Sequence, residues 1–134
     1  MKNINTAFAT AIAAAFLASA PFTAAQAQTA TTLTKLYASY EKQGRRAVGM
    51  PEYGRQVKFS GVVLEASESM DGSSLIRAAD VGGNKELARL TPADDAQNAK
   101  IGAMRRGAKF TATCEVGFAM GSVYLTMSDC VIQP

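Results

Sequence analysis

Residues 1–27 limit what the rest of the chain can become. Lys2 precedes an apolar run from Ala7 to Leu17, and Pro21 and the small-residue triplet Ala25-Gln26-Ala27 follow. This is the layout of a secretory signal peptide. The run is about a dozen residues, short of the roughly 20 that span a bilayer, so it reads as a cleaved leader rather than a retained anchor. Cleavage is expected after Ala27, and no cysteine stands near the cut to carry a lipid. Residues 28–134 are left as a single exported domain, periplasmic or secreted, close to the commonest domain size.

Residues 28–32 read as a loose tether. From Leu33 the apolar positions run Leu33, Leu36, Tyr37, Tyr40, Ala47 and Val48, one face of an amphipathic helix over 33–48. Thr31 or Thr32 can cap its start, Gly44 weakens its middle, and Gly49 with Pro51 ends it. The tyrosines at 37, 40 and 53 are expected in the core or at its rim, with hydroxyls to solvent. A strand period then takes over from Val57 to Leu64, apolar on both faces, with Gly61 marking a bulge or a sharp bend. Met70-Asp71-Gly72-Ser73 is a turn. It leads to a strand at Ser74–Ala79, a second turn at Val81-Gly82-Gly83-Asn84, and a strand from Glu86 to Leu90. Thr91 as cap with Pro92 at the first helical position announces a second helix, whose small stripe Ala96, Ala99 and Ala103, beside Ile101 and Met104, would let it sit close on a sheet. Phe110, Ala112, Cys114 and Val116 recur at period two. After a turn across Gly117 to Gly121, so do Val123, Leu125 and Met127, which makes a terminal hairpin.

The order is therefore helix, three strands, helix, two strands. This predicts a mainly β fold with two helices, an OB-fold-like five-stranded Greek-key barrel with an N-terminal helix and a helix between strands 3 and 4. An open antiparallel sheet with two helices fits the periodicity as well; the bent first strand and the place of the second helix favour the barrel.

The same residues resemble a known family. Leu36-Tyr37 with Tyr40, then Ala47, then Tyr53-Gly54-Arg55-Gln56-Val57 leading to Ser60-Gly61-Val62-Val63, are similar to the opening of the exported bacterial OB-fold family named for its likeness to the anticodon-binding domain of tRNA synthetases. Cys114 with Gly117, and Leu125-x-Met127-x-x-Cys130-x-Ile132, are similar to its close. Gln43-Gly44 stands where the family has asparagine, Tyr53 and Gly54 are adjacent, and Arg55 replaces a lysine. The resemblance implies an OB-like barrel and transfers no catalytic or binding residue.

Cys114 and Cys130 are the two cysteines of the chain, and export places them where an even count means a bridge. Closing that loop would stabilise a small domain by about 3 kcal/mol. The hairpin creates a tension, however. A turn near Ala119-Met120 puts Cys114 opposite a residue near Leu125, leaving Cys130 about 17 Å too far along. The chain after Met127 is therefore expected to bend back through Ser128-Asp129.

The chain has no histidine, hence neither the commonest general base nor the commonest metal ligand. The acidic pairs Glu65 with Glu68 and Asp94 with Asp95 flank a strand end and a helix start, where they have ordinary roles. No enzyme, no cofactor and no metal site is expected. The formal net charge of +3 is too mild to imply nucleic acid, and the clusters Arg45-Arg46, Arg55, Lys58 and Arg105-Arg106, Lys109 read as solvated ends or as an anionic-ligand patch. Strands that would stack bases carry no aromatic over Ser73–Ala79 or Glu86–Leu90, only Arg77 and Arg89. The candidate ligand-binding residues are Met70, Arg77, Arg89, Phe118 and Met120, on the two loops and two strands that border the ligand face of an OB barrel. The plain alternative for Phe118 is a plug at the barrel end. The chain thus reads as an exported binding module for a peptide, a glycan or an envelope partner. A single-stranded nucleic-acid module, or a structural envelope protein without a small ligand, are the other readings.

Overall fold

The computed structural model describes residues 30–134, so the leader expected at residues 1–27 lies outside the described residues. Thr31–Thr32 (β1) are not a loose tether: they pair in parallel with Phe59 and Ser60. Helix α1 (Leu33–Lys42) starts where the Thr32 side chain accepts a hydrogen bond from the Lys35 N–H, and it buries Leu33, Leu36, Tyr37 and Tyr40. It ends at Lys42, short of the expected Val48. Gly44 (φ 66°) and Arg45 (φ 57°) both take the left-handed conformation, which no helix can continue through. Ala47 returns to the core on a separate 3-10 turn, Ala47–Gly49, while Val48 faces out. The hydroxyls of Tyr37 and Tyr40 do not reach for solvent; they donate to the carbonyls of Val123 and Ser122, each at 3.1 Å.

Strand β2 (Gln56–Glu68) is long enough to serve two neighbours. Its first half pairs antiparallel with β5 (Lys109–Val116), from Gln56 opposite Glu115 to Val62 opposite Lys109. Its second half pairs with β3 (Ser74–Ala79), from Val62 opposite Ala79 to Glu68 opposite Ser74. β3 pairs with β4 (Ala88–Pro92), β4 runs parallel to β6 (Leu125–Ile132), and β6 returns antiparallel to β5. The five strands close into an OB-like barrel, which removes the open-sheet alternative and leaves those strands without a free edge. The register of β2 slips at Leu64, between Val63 and Glu65, whereas its pairing with β5 runs regularly through Gly61 opposite Phe110, so the bulge is not at Gly61.

Helix α2 (Asp95–Gly102) lies between β4 and β5. Thr91 and Pro92 do not open it, because they finish β4, Pro92 standing opposite Cys130. Asp94 is the cap instead, its carboxylate accepting from the Gln97 N–H at 2.8 Å. The predicted alanine stripe faces solvent, and Gln97 and Ile101 are the buried residues. Two side-chain amides fasten the helix to the barrel: Gln97 Oε1 accepts from the Ile132 N–H at 2.8 Å, and Asn98 Oδ1 from the Ser74 N–H at 2.7 Å.

In β5 the period-two expectation holds: Phe110, Ala112, Cys114 and Val116 are buried against Phe59, Ile76, Leu90, Leu125 and Met127 in one core. Cys114 and Cys130 form a disulfide, S–S 2.08 Å. No bending back is needed to make it. The connection from β5 to β6 is longer than the predicted turn, so Val116 stands opposite Met127, and Val123 is an exposed loop residue rather than a strand residue. One extra residue, Asp129 (φ 50°), is then absorbed between the pairs Glu115–Ser128 and Thr113–Val131. That bulge turns Cys130 inward although it is out of phase with Leu125 and Met127.

Candidate functional site

Because Ile76 and Ala78 point into the barrel, Arg77 between them points out; because Ala88 and Leu90 point in, so does Arg89 point out. Register completes the arrangement. Glu65 stands opposite Arg77, Arg77 opposite Arg89, and Arg89 opposite Thr126, a row across β2, β3, β4 and β6 on the outer surface. Two arginines directly opposite would repel. Glu86, just before β4, stands between them. Its Oε2 accepts from Arg77 Nη2 at 2.7 Å and Nε at 3.1 Å, and its Oε1 from Arg89 Nε at 2.6 Å. Glu65 takes the remaining end of Arg77, Nη1 to Oε2 at 2.8 Å. On the other side, the Arg89 guanidinium lies 3.9 Å from the centre of the Tyr124 ring.

The row is thus two cations and two anions, balanced on its own surface. Partial burial pushes the Glu86 carboxyl up, but the hydrogen bonds and charges of Arg77 and Arg89 outweigh it and hold the group below its ordinary value. The same bonds, those from Glu86 first, raise Arg77 further above its already high value, so it is charged at every accessible pH. Glu65 is therefore a partner of Arg77 rather than half of an acidic pair with Glu68. Sequence reasoning missed Glu86 and Tyr124. Tyr124 alternates with the inward Leu125, a signal of an outward aromatic, but only the loop path brings it beside a strand remote in sequence.

The five residues named from sequence fall into separate places. Arg77 and Arg89 are brought together. Met70 stands fully exposed at the tip of the β2–β3 hairpin. That tip is organised by Asp71, whose carboxylate accepts from the Ser69 and Ser73 hydroxyls and the Ser73 N–H, holding it at a pKa of about 2. Beside it, a cleft of about 560 Å³ runs to the start of α2, past Ser73, Asp94 and Asn98. Phe118 and Met120 lie on the β5–β6 connection, both well exposed. Phe118 is not a plug; the neighbouring Ala119 is the buried residue of that loop, and its carbonyl accepts from the Ala47 N–H at 2.9 Å. Met120 pairs with Arg46 in an isolated antiparallel bridge.

Among the described residues, no group of three or more acidic, cysteine or histidine side chains could hold a metal ion, and no helix is long and apolar enough to cross a membrane. No family model matches the chain, and no curated protein matches it. Among solved structures, the chain is similar to a protein from Klebsiella pneumoniae subsp. pneumoniae described as a "putative nucleic acid-binding lipoprotein". The TM-score is 0.61 at 15% identity, over 80% of this chain and 92% of that one. A likeness at that identity is one of fold, and the fold shared is the OB-like barrel. The narrower resemblance to the anticodon-binding-like family has no family-model match behind it.

Proposed function

We propose that this chain is an exported, non-catalytic binding module that takes a peptide, a glycan or an envelope partner on the outer surface of β3 and β4. The observation that carries this reading is the balanced row Glu65, Arg77, Glu86 and Arg89 ending on Tyr124. The glutamates immobilise both guanidinium groups, so little side-chain entropy is lost on binding. Arg89 uses only Nε on Glu86, which leaves the N–H groups of its two terminal nitrogens for carbonyl, carboxylate or hydroxyl oxygens. Tyr124 offers a ring beside them. The disulfide, the leader reading and the lipoprotein neighbour all support an envelope setting.

A single-stranded nucleic acid is the second reading. The Arg89–Tyr124 stack and the description of the structural neighbour favour it. Charge balance speaks against it, because a phosphate chain gains most of its affinity from unmatched cations. Backbone amide shifts on titration with an oligosaccharide, a mildly acidic peptide and an oligothymidylate separate the two. The first reading expects shifts around Arg89 and Tyr124 with one of the first two ligands, weak salt dependence, and about tenfold weaker binding for Arg89→Ala, one lost charge-assisted hydrogen bond. Binding of the oligonucleotide alone, with a steep salt slope, would reject it.

A further inference from the structure

Three chain segments meet at the end of the barrel where the β5–β6 connection crosses the turn after α1. Residues 45–47 pair with 119–121, through Ala47 N–H to the Ala119 carbonyl at 2.9 Å and Gly121 N–H to the Arg45 carbonyl at 2.8 Å. Residues 53–55 run beside Val116, with Gly54 N–H on its carbonyl at 3.0 Å. Among the described residues, five of the eight large apolar side chains left exposed are on these segments: Val48 at 51%, Tyr53 at 38%, Phe118 at 61%, Met120 at 60% and Val123 at 59%. The Tyr37 and Tyr40 hydroxyls fasten the carbonyls of Val123 and Ser122 from below, and the bonds between residues 45–47 and 119–121 hold the two segments that carry Val48, Phe118 and Met120. Arg46 and Arg55 stand among them, exposed, and neither has an acidic partner among the described residues.

Apolar side chains that project from a rigid backbone, with unmatched cations between them, match an anionic interface that can accept them. A bilayer surface does so without a preformed pocket: the apolar tips enter the boundary of headgroups and acyl chains, and the cations stay with the lipid phosphates. The clefts beside α1, the β3–β4 loop and α2 are lined by other residues, so Val48, Phe118, Met120 and Val123 lie apart from them. We propose that this end of the barrel is a docking surface for an anionic membrane, independent of the ligand face on β3 and β4.

Co-sedimentation of the purified protein with phosphatidylcholine vesicles, and with vesicles in which about a third of the lipid is phosphatidylglycerol, tests this. About tenfold or stronger preference for the anionic vesicles is expected, the order of effect of two cations at a charged surface. Phe118→Ser with Met120→Ser should lower retention about tenfold with circular dichroism unchanged. Arg46→Glu with Arg55→Glu should abolish the preference for phosphatidylglycerol and keeps the test intact if the serine variant misfolds. A wild-type protein that stays in the supernatant with both lipids overturns the proposal. So does displacement from vesicles by soluble polyglutamate with retention of the serine variant, which would mark an acidic protein partner, or a dimer by ultracentrifugation that the serine variant dissolves, which would mark a contact between copies.

Discussion

Phe110 fills the space that any side chain at position 61 would need. A methyl group on Gly61 would lie 2.9 Å from Phe110 Cζ, 3.0 Å from the Ala79 carbonyl oxygen and 3.1 Å from Leu33 Cδ1. The three atoms belong to β5, β3 and α1, so the helix and two neighbours of β2 all approach the strand closely at Gly61. Glycine is required here for close approach, at an extended backbone, and the register slips three residues further on.

Gly61→Ala should therefore destabilise the fold by about 1–3 kcal/mol, since the phenyl ring can shift but the Ala79 carbonyl is held in its ladder. Urea denaturation measures this. A midpoint equal to that of the exposed control Ala96→Ser would show that the three elements separate more easily than the packing indicates.

Replacing both cysteines by alanine should cost about 2–4 kcal/mol, because Cys114 and Cys130 close the terminal hairpin across its bulge. Thiol labelling of the unfolded, unreduced protein should find no free thiol. Two labelled cysteines would mean that the bridge does not form and that both are small core residues.

Glu86→Gln tests the row between the two arginines. Its carboxyl is held below the ordinary value of 4.5, so its bonds contribute stability that is fully present above that pH and is lost as the pH falls through the lower folded value. The variant should be less stable than wild type at pH 7 by about 1 kcal/mol, a figure already reduced for the solvent that reaches both arginines. The difference should shrink towards pH 3. Denaturation midpoints at the two pH values check it, and a difference that grows on acidification would contradict the assignment.

Gln97→Leu keeps the volume of a buried side chain but removes the acceptor of the Ile132 N–H. A loss of about 1–3 kcal/mol is expected, together with faster amide exchange at Ile132. Unchanged exchange there would show that another group takes over the bond.

Period-two faces were legible in the sequence because they depend on neighbours along the chain. Phe110, Ala112, Cys114 and Val116 face in as their alternation predicts, Ser74–Ala79 is a strand from end to end, and the order of the elements already pointed to an OB-like barrel. Arg77 and Arg89 were legible as outward cations for the same reason. What the sequence alone could not settle was where each periodic stretch stops and what stands opposite it. Ala47 continues the spacing of α1 but belongs to a separate turn, because two left-handed residues intervene. Asp94 rather than Thr91 caps α2 because β4 needs Thr91 and Pro92 to reach Cys130. Tyr124 beneath Arg89 comes from a connection that pairs with the turn after α1, and Glu86 between the arginines comes from the β3–β4 connection, brought back by the Leu87 N–H on the Ala78 carbonyl. Alternation along a strand is decided by bonds between adjacent residues, whereas register, bulges and cross-strand partners are decided by contacts between residues far apart in sequence, and these exist only once the barrel has closed.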